Sequence, residues 1–216
     1  MLAFCPINLP KVVINEARLN TLIDYYNPGH HDGIWDTLPL LGRVDSQEEF
    51  NNAEKFELAW EKRYQENGEV LINDSVRKEL SGIFNHLELL PMKVTHAQIL
   101  RATKEIPKHF DMKHQNKEFI DDYPNIDFEP NGWKILLNYI EEDSFYVCES
   151  WDSPPSYIRL PEDTNTFVIN EKHHPHGSKF IQDKCVVSIF GIVDEDKANA
   201  LIKRSLNMYK DYIINF

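Results

Sequence analysis

The sequence predicts a mainly β domain with flanking helices, an α+β arrangement with helical segments before and after a run of short strands. Three observations lead there. Apolar residues recur at helical spacing through residues 1–92; from Lys93 the pattern changes to short extended pieces separated by turn residues; and helical spacing returns after Asp194. On this reading 1–92 is a helical support region, 93–193 a β core and 194–216 a C-terminal helix, all within one domain spanning 1–216.

The helical segments come with their own boundaries. Asn15 can cap a segment in which Leu19, Leu22, Ile23 and Tyr26 form one apolar stripe, stopped by Asn27-Pro28-Gly29. Ser46-Gln47-Glu48-Glu49 has the spacing of a capping box ahead of Phe50, Ala53, Phe56, Trp60 and Tyr64, which predicts a second helix ending near Gly68. Asp74 can cap a third, whose Val76, Leu80, Ile83, Phe84 and Leu87 share a face before Pro91. After Asp194, Ala198, Leu201, Ile202, Met208 and Tyr212 make a last stripe, suited to covering an outer face.

Between them the expected strands are Val94–Ala102, Trp133–Ile140, Ser144–Cys148, Tyr157–Leu160, Thr164–Ile169 and Cys185–Val193. Turn chemistry separates them at Glu129-Pro130-Asn131-Gly132, Glu141-Glu142-Asp143 and Ser153-Pro154-Pro155-Ser156. Such spacing points to an antiparallel sandwich or barrel.

Composition narrows the class of partner. Lys and Arg number 23 against 35 Asp and Glu, and a net charge of −12 argues against a nucleic-acid backbone or an anionic membrane. The three cysteines, Cys5, Cys148 and Cys185, are widely spaced and form no CxxC pair, which suits a reducing cytoplasm. No apolar run approaches the ~20 residues of a membrane span. Met1 to Leu9 lacks the basic start and longer apolar stretch of a secretion signal.

The chemistry gathers around histidines. In Ile106-Pro107-Lys108-His109-Phe110-Asp111 an imidazole and a carboxylate stand two residues apart, so an extended chain turns both to one side and Phe110 to the other. A second such string, His30-His31-Asp32, follows Asn-Pro-Gly in a turn without a strand signal. Far downstream, His173, His174 and His176 follow the strand-like Thr166–Ile169, after enough chain for several strands to leave and return beside His109. Two imidazoles and a carboxylate on one side of an iron leave positions open for a bidentate co-substrate and dioxygen. The distal histidine is His176, chosen because Gly177 permits close backbone approach, with His174 as its rival.

On these residues the sequence resembles the Fe(II)- and 2-oxoglutarate-dependent dioxygenase superfamily over roughly Val94 to Val193, with the helical part similar to its aspartyl/asparaginyl β-hydroxylase-like branch. The resemblance implies a double-stranded β-helix, a jelly roll of cupin-like type. It implies His109, Asp111 and His176 as the Fe(II) ligands, and 2-oxoglutarate and dioxygen as co-substrates. It also implies that Lys184, directly before Cys185-Val186-Val187-Ser188-Ile189-Phe190, pairs with the far carboxylate of 2-oxoglutarate. Many members have arginine there; lysine offers a point charge in place of a fork. The expected reaction is hydroxylation of an unactivated C–H bond of an amino-acid, peptide or small-molecule substrate. A cupin-like metalloenzyme of other chemistry and a non-catalytic jelly-roll binding protein are the alternatives. His114, Asn138, Tyr146, Trp151 and Arg159 stand near the ligand segments without assigned roles.

Overall fold

The computed structural model describes residues 1–26, 30–31, 35–41, 60–61, 71–72, 74–111, 128–138, 144–179 and 184–216. Its architecture is two antiparallel sheets with helices against the larger one. In chain order the elements are β1 (Leu2–Pro6), α1 (Glu16–Tyr26), β2 (His30–His31), β3 (Trp35–Leu41), β4 (Trp60–Glu61), β5 (Leu71–Ile72), α2 (Asp74–Glu79) and α3 (Ser81–Leu87). Then come β6 (Met92–Ala102), β7 (Ile106–His109), β8 (Gly132–Leu136), β9 (Phe145–Val147), β10 (Ser156–Tyr157), β11 (Thr166–Ile169), β12 (His176–Ser178), β13 (Cys185–Val193), α4 (Glu195–Met208) and β14 (Ile214–Asn215). The large sheet has the order β14-β1-β11-β8-β13-β6-β3-β2 and the small one β10-β9-β12-β7, while β4 and β5 pair separately.

Period-two alternation explains how the large sheet serves two layers. One face carries Leu38, Ile99, Trp133, Ile135, Val168, Val187 and Ile189, packed in one core with Leu19 and Ile23 of α1, Ile83 and Leu87 of α3, and Leu201 and Ile202 of α4. The other face puts Phe4, Leu136, Phe167 and Ile169 against Val147 of the small sheet and Ile158. Side-chain caps set the helix starts: Asn15 Oδ1 accepts from the Arg18 amide at 3.0 Å and Asp194 Oδ1 from the Lys197 amide at 3.2 Å.

The support region is less helical than its periodicity predicts. Both β1 and β3 belong to the large sheet. β1 is buried along almost its whole length, so Leu-Ala-Phe-Cys-Pro shows no alternation by which to recognise it. β3 contains Pro39, which normally argues against a strand. However, β2 pairs only with Trp35 and Asp36, so among the described residues Pro39 is paired on the β6 side alone, where a missing N–H is tolerated. His30 and His31 form β2, contrary to the turn expected there. Of the helix expected from Ser46 to Gly68 only Trp60 and Glu61 are among the described residues, and they form a strand with Leu71 and Ile72. The third helix is present from Asp74 with a break at Leu80, and β13 has the expected bounds. Among the described residues no helix is long and apolar enough to cross a membrane.

Candidate metal centre

The small sheet brings the two histidine segments together. β12 lies between β9 and β7, antiparallel to both, and its ladder to β7 sets His176 directly opposite His109. Their rings approach to 4.3 Å between centroids. Each Nδ1 faces a backbone carbonyl: that of Pro107 at 2.7 Å for His109 and that of His174 at 3.3 Å for His176. A carbonyl only accepts, so each Nδ1 carries a proton, which leaves Nε2 as the ring nitrogen that could bind a metal. Both Nε2 atoms turn toward Asp111, at 3.1 Å from Oδ1 for His109 and 3.6 Å from Oδ2 for His176. One ligand atom from each of His109, Asp111 and His176 lies within 4.8 Å of the others, a group able to hold a metal ion.

His176 is buried, whereas the side chains of His109 and Asp111 are 37% and 36% exposed. Burial pulls the His109 imidazole down, but the Asp111 carboxylate, helped by the Pro107 carbonyl and Glu171, outweighs it and raises its pKa. Burial likewise pushes Asp111 up, yet His176, His109 and Lys134 together hold it well below the usual carboxylate range. The carboxylate is therefore ionised at neutral pH and available to a cation.

Lys184 precedes β13 and is 3% exposed. Its Nζ donates to Ser178 Oγ and lies 5.6 Å from the centre of the Phe145 ring. Burial lowers its pKa to about 8, and among the described residues no carboxylate pairs with it. Ser178 sits two residues after His176 on β12, so one short strand carries both a histidine of the metal group and the hydroxyl next to the buried ammonium.

Two further groups escaped sequence reasoning. Lys134 sits in the middle of β8, and its Nζ pairs with Glu171 Oε1 at 2.7 Å; both side chains are nearly or fully buried. Glu171 Oε1 is also 3.6 Å from His176 Nε2. Burial raises Glu171, with Asp111 adding repulsion against the pull of Lys134. The available signal was Lys134 itself, a charge on the strand face that Leu136 shares. The ladder extends that face across the sheet as Gln98, Ser188 and Lys134, a polar row inside an otherwise apolar layer.

Other predicted positions lie apart from the group. His174 is buried, its Nδ1 faces the Glu149 carbonyl at 3.4 Å, and its ring packs 5.2 Å from that of Phe216. His173 is exposed and meets Glu129. Gly177 does not face the metal group as expected. A Cβ there would lie 2.5 Å from Tyr146 Oη and 2.8 Å from the Ile106 carbonyl, so the glycine serves the packing of Tyr146 across the ladder. Phe110 stacks on the half-exposed Trp151, 6.0 Å between centroids. Arg159 is exposed, and Asn138 Oδ1 accepts from the Cys185 amide at 2.9 Å. His114 lies outside the described residues.

No protein-family model and no curated protein matches the chain. Among solved structures it is similar to an oxidoreductase of the 2OG-Fe(II) oxygenase family from Burkholderia pseudomallei, at 14% identity and a TM-score of 0.37, over 82% of this chain and 77% of that one. A likeness of that size carries no weight for fold or function.

Proposed function

We propose that the chain is an Fe(II)- and 2-oxoglutarate-dependent oxygenase that hydroxylates an unactivated C–H bond, with release of succinate and carbon dioxide. The observation that carries this reading is a metal group of two imidazoles and one carboxylate joined, through a single strand, to a buried ammonium without a carboxylate partner among the described residues. Two nitrogens and one oxygen donor suit Fe(II) and leave coordination positions for other ligands. His109, Asp111 and His176 would hold the ion. Lys184 and Ser178 would receive the far carboxylate of 2-oxoglutarate, which supplies an anion where the described residues offer none. The bound iron and co-substrate supply the oxidising chemistry, and the chain's own residues bind, orient and exclude water.

The strand order supports a double-stranded β-helix core. From β6 to β13 the chain changes sheet at every step except β9 to β10, giving β6-β13-β8-β11 in one and β7-β12-β9-β10 in the other. In this reading the metal group occupies the β7–β12 end of the interior, and the substrate is an amino acid, a peptide side chain or another small molecule. Cys5, Cys148 and Cys185 are buried thiols not joined in disulfides, which suits the cytoplasm.

The test is succinate formation from 2-oxoglutarate by purified protein with Fe(II), ascorbate and oxygen, beside a Tm measurement with Mn(II) and 2-oxoglutarate under nitrogen. Turnover that disappears in Asp111→Ala, together with a Tm rise that requires both Mn(II) and 2-oxoglutarate, supports the proposal. No succinate and no 2-oxoglutarate-dependent stabilisation would remove it.

A further inference from the structure

Glu171 has a seat built for it. Gly132 pairs with Ile169 in the β8–β11 ladder, and a Cβ on Gly132 would lie 2.6 Å from both Cδ and Oε2 of Glu171. The carboxylate fills that space. Lys134, two residues along β8, reaches Oε1 at 2.7 Å. From this seat Oε1 stands 3.6 Å from His176 Nε2, the same separation as Asp111 Oδ2 shows from that nitrogen. A buried carboxylate–ammonium pair is a poor source of stability, because desolvation offsets much of its attraction. Fold stability alone therefore gives no reason to place one beside two imidazoles.

We propose that Glu171 is a second carboxylate of the metal centre, an outer anion that helps hold a divalent cation on His109, Asp111 and His176, and that Lys134 keeps it aimed at His176. The inference rests on the metal-site reading above. Without a cation, Lys134 is the counter-charge for Glu171 and also lies within electrostatic reach of Asp111. A divalent ion beside the pair takes over part of that duty. Groups just outside a metal's direct ligands typically change its affinity by about 10- to 100-fold.

Co(II) is the probe, followed by its visible absorption and by the Tm of the full-length protein. Wild type should bind a single equivalent and Asp111→Ala should lose it. Glu171→Gln should bind Co(II) about tenfold more weakly or worse. The double variant Lys134→Met/Glu171→Gln removes both charges and so avoids a buried unpaired ion, and it should be weakened in the same way. Lys134→Met alone should gain more Tm from Co(II) than wild type does, since the ion replaces the missing counter-charge. If Glu171→Gln and the double variant bind as tightly as wild type while Asp111→Ala does not, Glu171 is only a structural partner of Lys134 and the inference is overturned with the metal site intact. If wild type binds no Co(II), or Asp111→Ala binds as well as wild type, the metal-site reading falls and this inference with it.

Discussion

Replacing Lys184 by methionine should make the protein more stable. Burial shifts this lysine from the ordinary value of 10.5 to about 8. That shift corresponds to roughly 3 kcal/mol of destabilisation for keeping the proton at neutral pH. Methionine fills similar volume without charge, at the cost of leaving Ser178 Oγ without its donor, about 1 kcal/mol. The net gain of about 2 kcal/mol should raise Tm by roughly 4–8 °C in a chain of this size. The pH dependence has a definite sign. Between the folded value of about 8 and the unfolded value of 10.5 the unfolded chain holds this proton and the folded chain does not. Wild-type stability should therefore gain with rising pH in that window, and the Lys184→Met curve should lack that contribution. Urea denaturation of both proteins from pH 7 to pH 10 reads this directly. A variant less stable than wild type at pH 7 would refute the reasoning, because the ammonium would then be held by more than Ser178. The same variant should lose the Tm rise that 2-oxoglutarate gives with Mn(II); retention of that rise would remove Lys184 from co-substrate binding while leaving the stability argument standing.

Single alanine variants separate the two candidate distal histidines: His176→Ala should abolish Co(II) binding and succinate formation, and His174→Ala should keep Co(II) affinity within about twofold, as read by absorption titration. Gly177→Ala forces a Cβ to within 2.5 Å of Tyr146 Oη and 2.8 Å of a backbone oxygen, so thermal denaturation should show a loss of about 1–3 kcal/mol. Gly177→Ala combined with Tyr146→Phe should recover only part, since the Ile106 carbonyl stays in place. Asn165 exchanges hydrogen bonds with the Val12 amide and carbonyl and donates to the Leu136 carbonyl, all buried. Asn165→Ala should cost about 3 kcal/mol, measured by urea denaturation, without changing Co(II) affinity.

The sequence was most legible where one pattern had one meaning. β13 is a long apolar run after a lysine, and its bounds match; the Asn15 and Asp194 caps start helices where the apolar stripes begin. β1 was illegible because both its faces are covered, which erases the alternation that marks a strand. β3 was hidden by Pro39, whose tolerance depends on how far β2 extends, a tertiary fact. At the site, the separation in sequence brought His109 and His176 forward as partners, but the choice over His174 rested on Gly177, which turns out to accommodate Tyr146. What brings the His109 and His176 rings together is strand register, which no local pattern encodes. Lys134 and Glu171 were missed for the same reason: each reads as an ordinary charge until two sheets close over it.

β12 is only three residues long, yet His176 and Ser178 occupy its two ends on one face. Side chains on a strand alternate, so inserting or deleting one residue between them would send either the imidazole or the hydroxyl to the opposite side of the sheet. If the proposed function holds, the metal and co-substrate subsites share one ruler. A change of length within β12 would, on that proposal, uncouple metal from co-substrate in a single step.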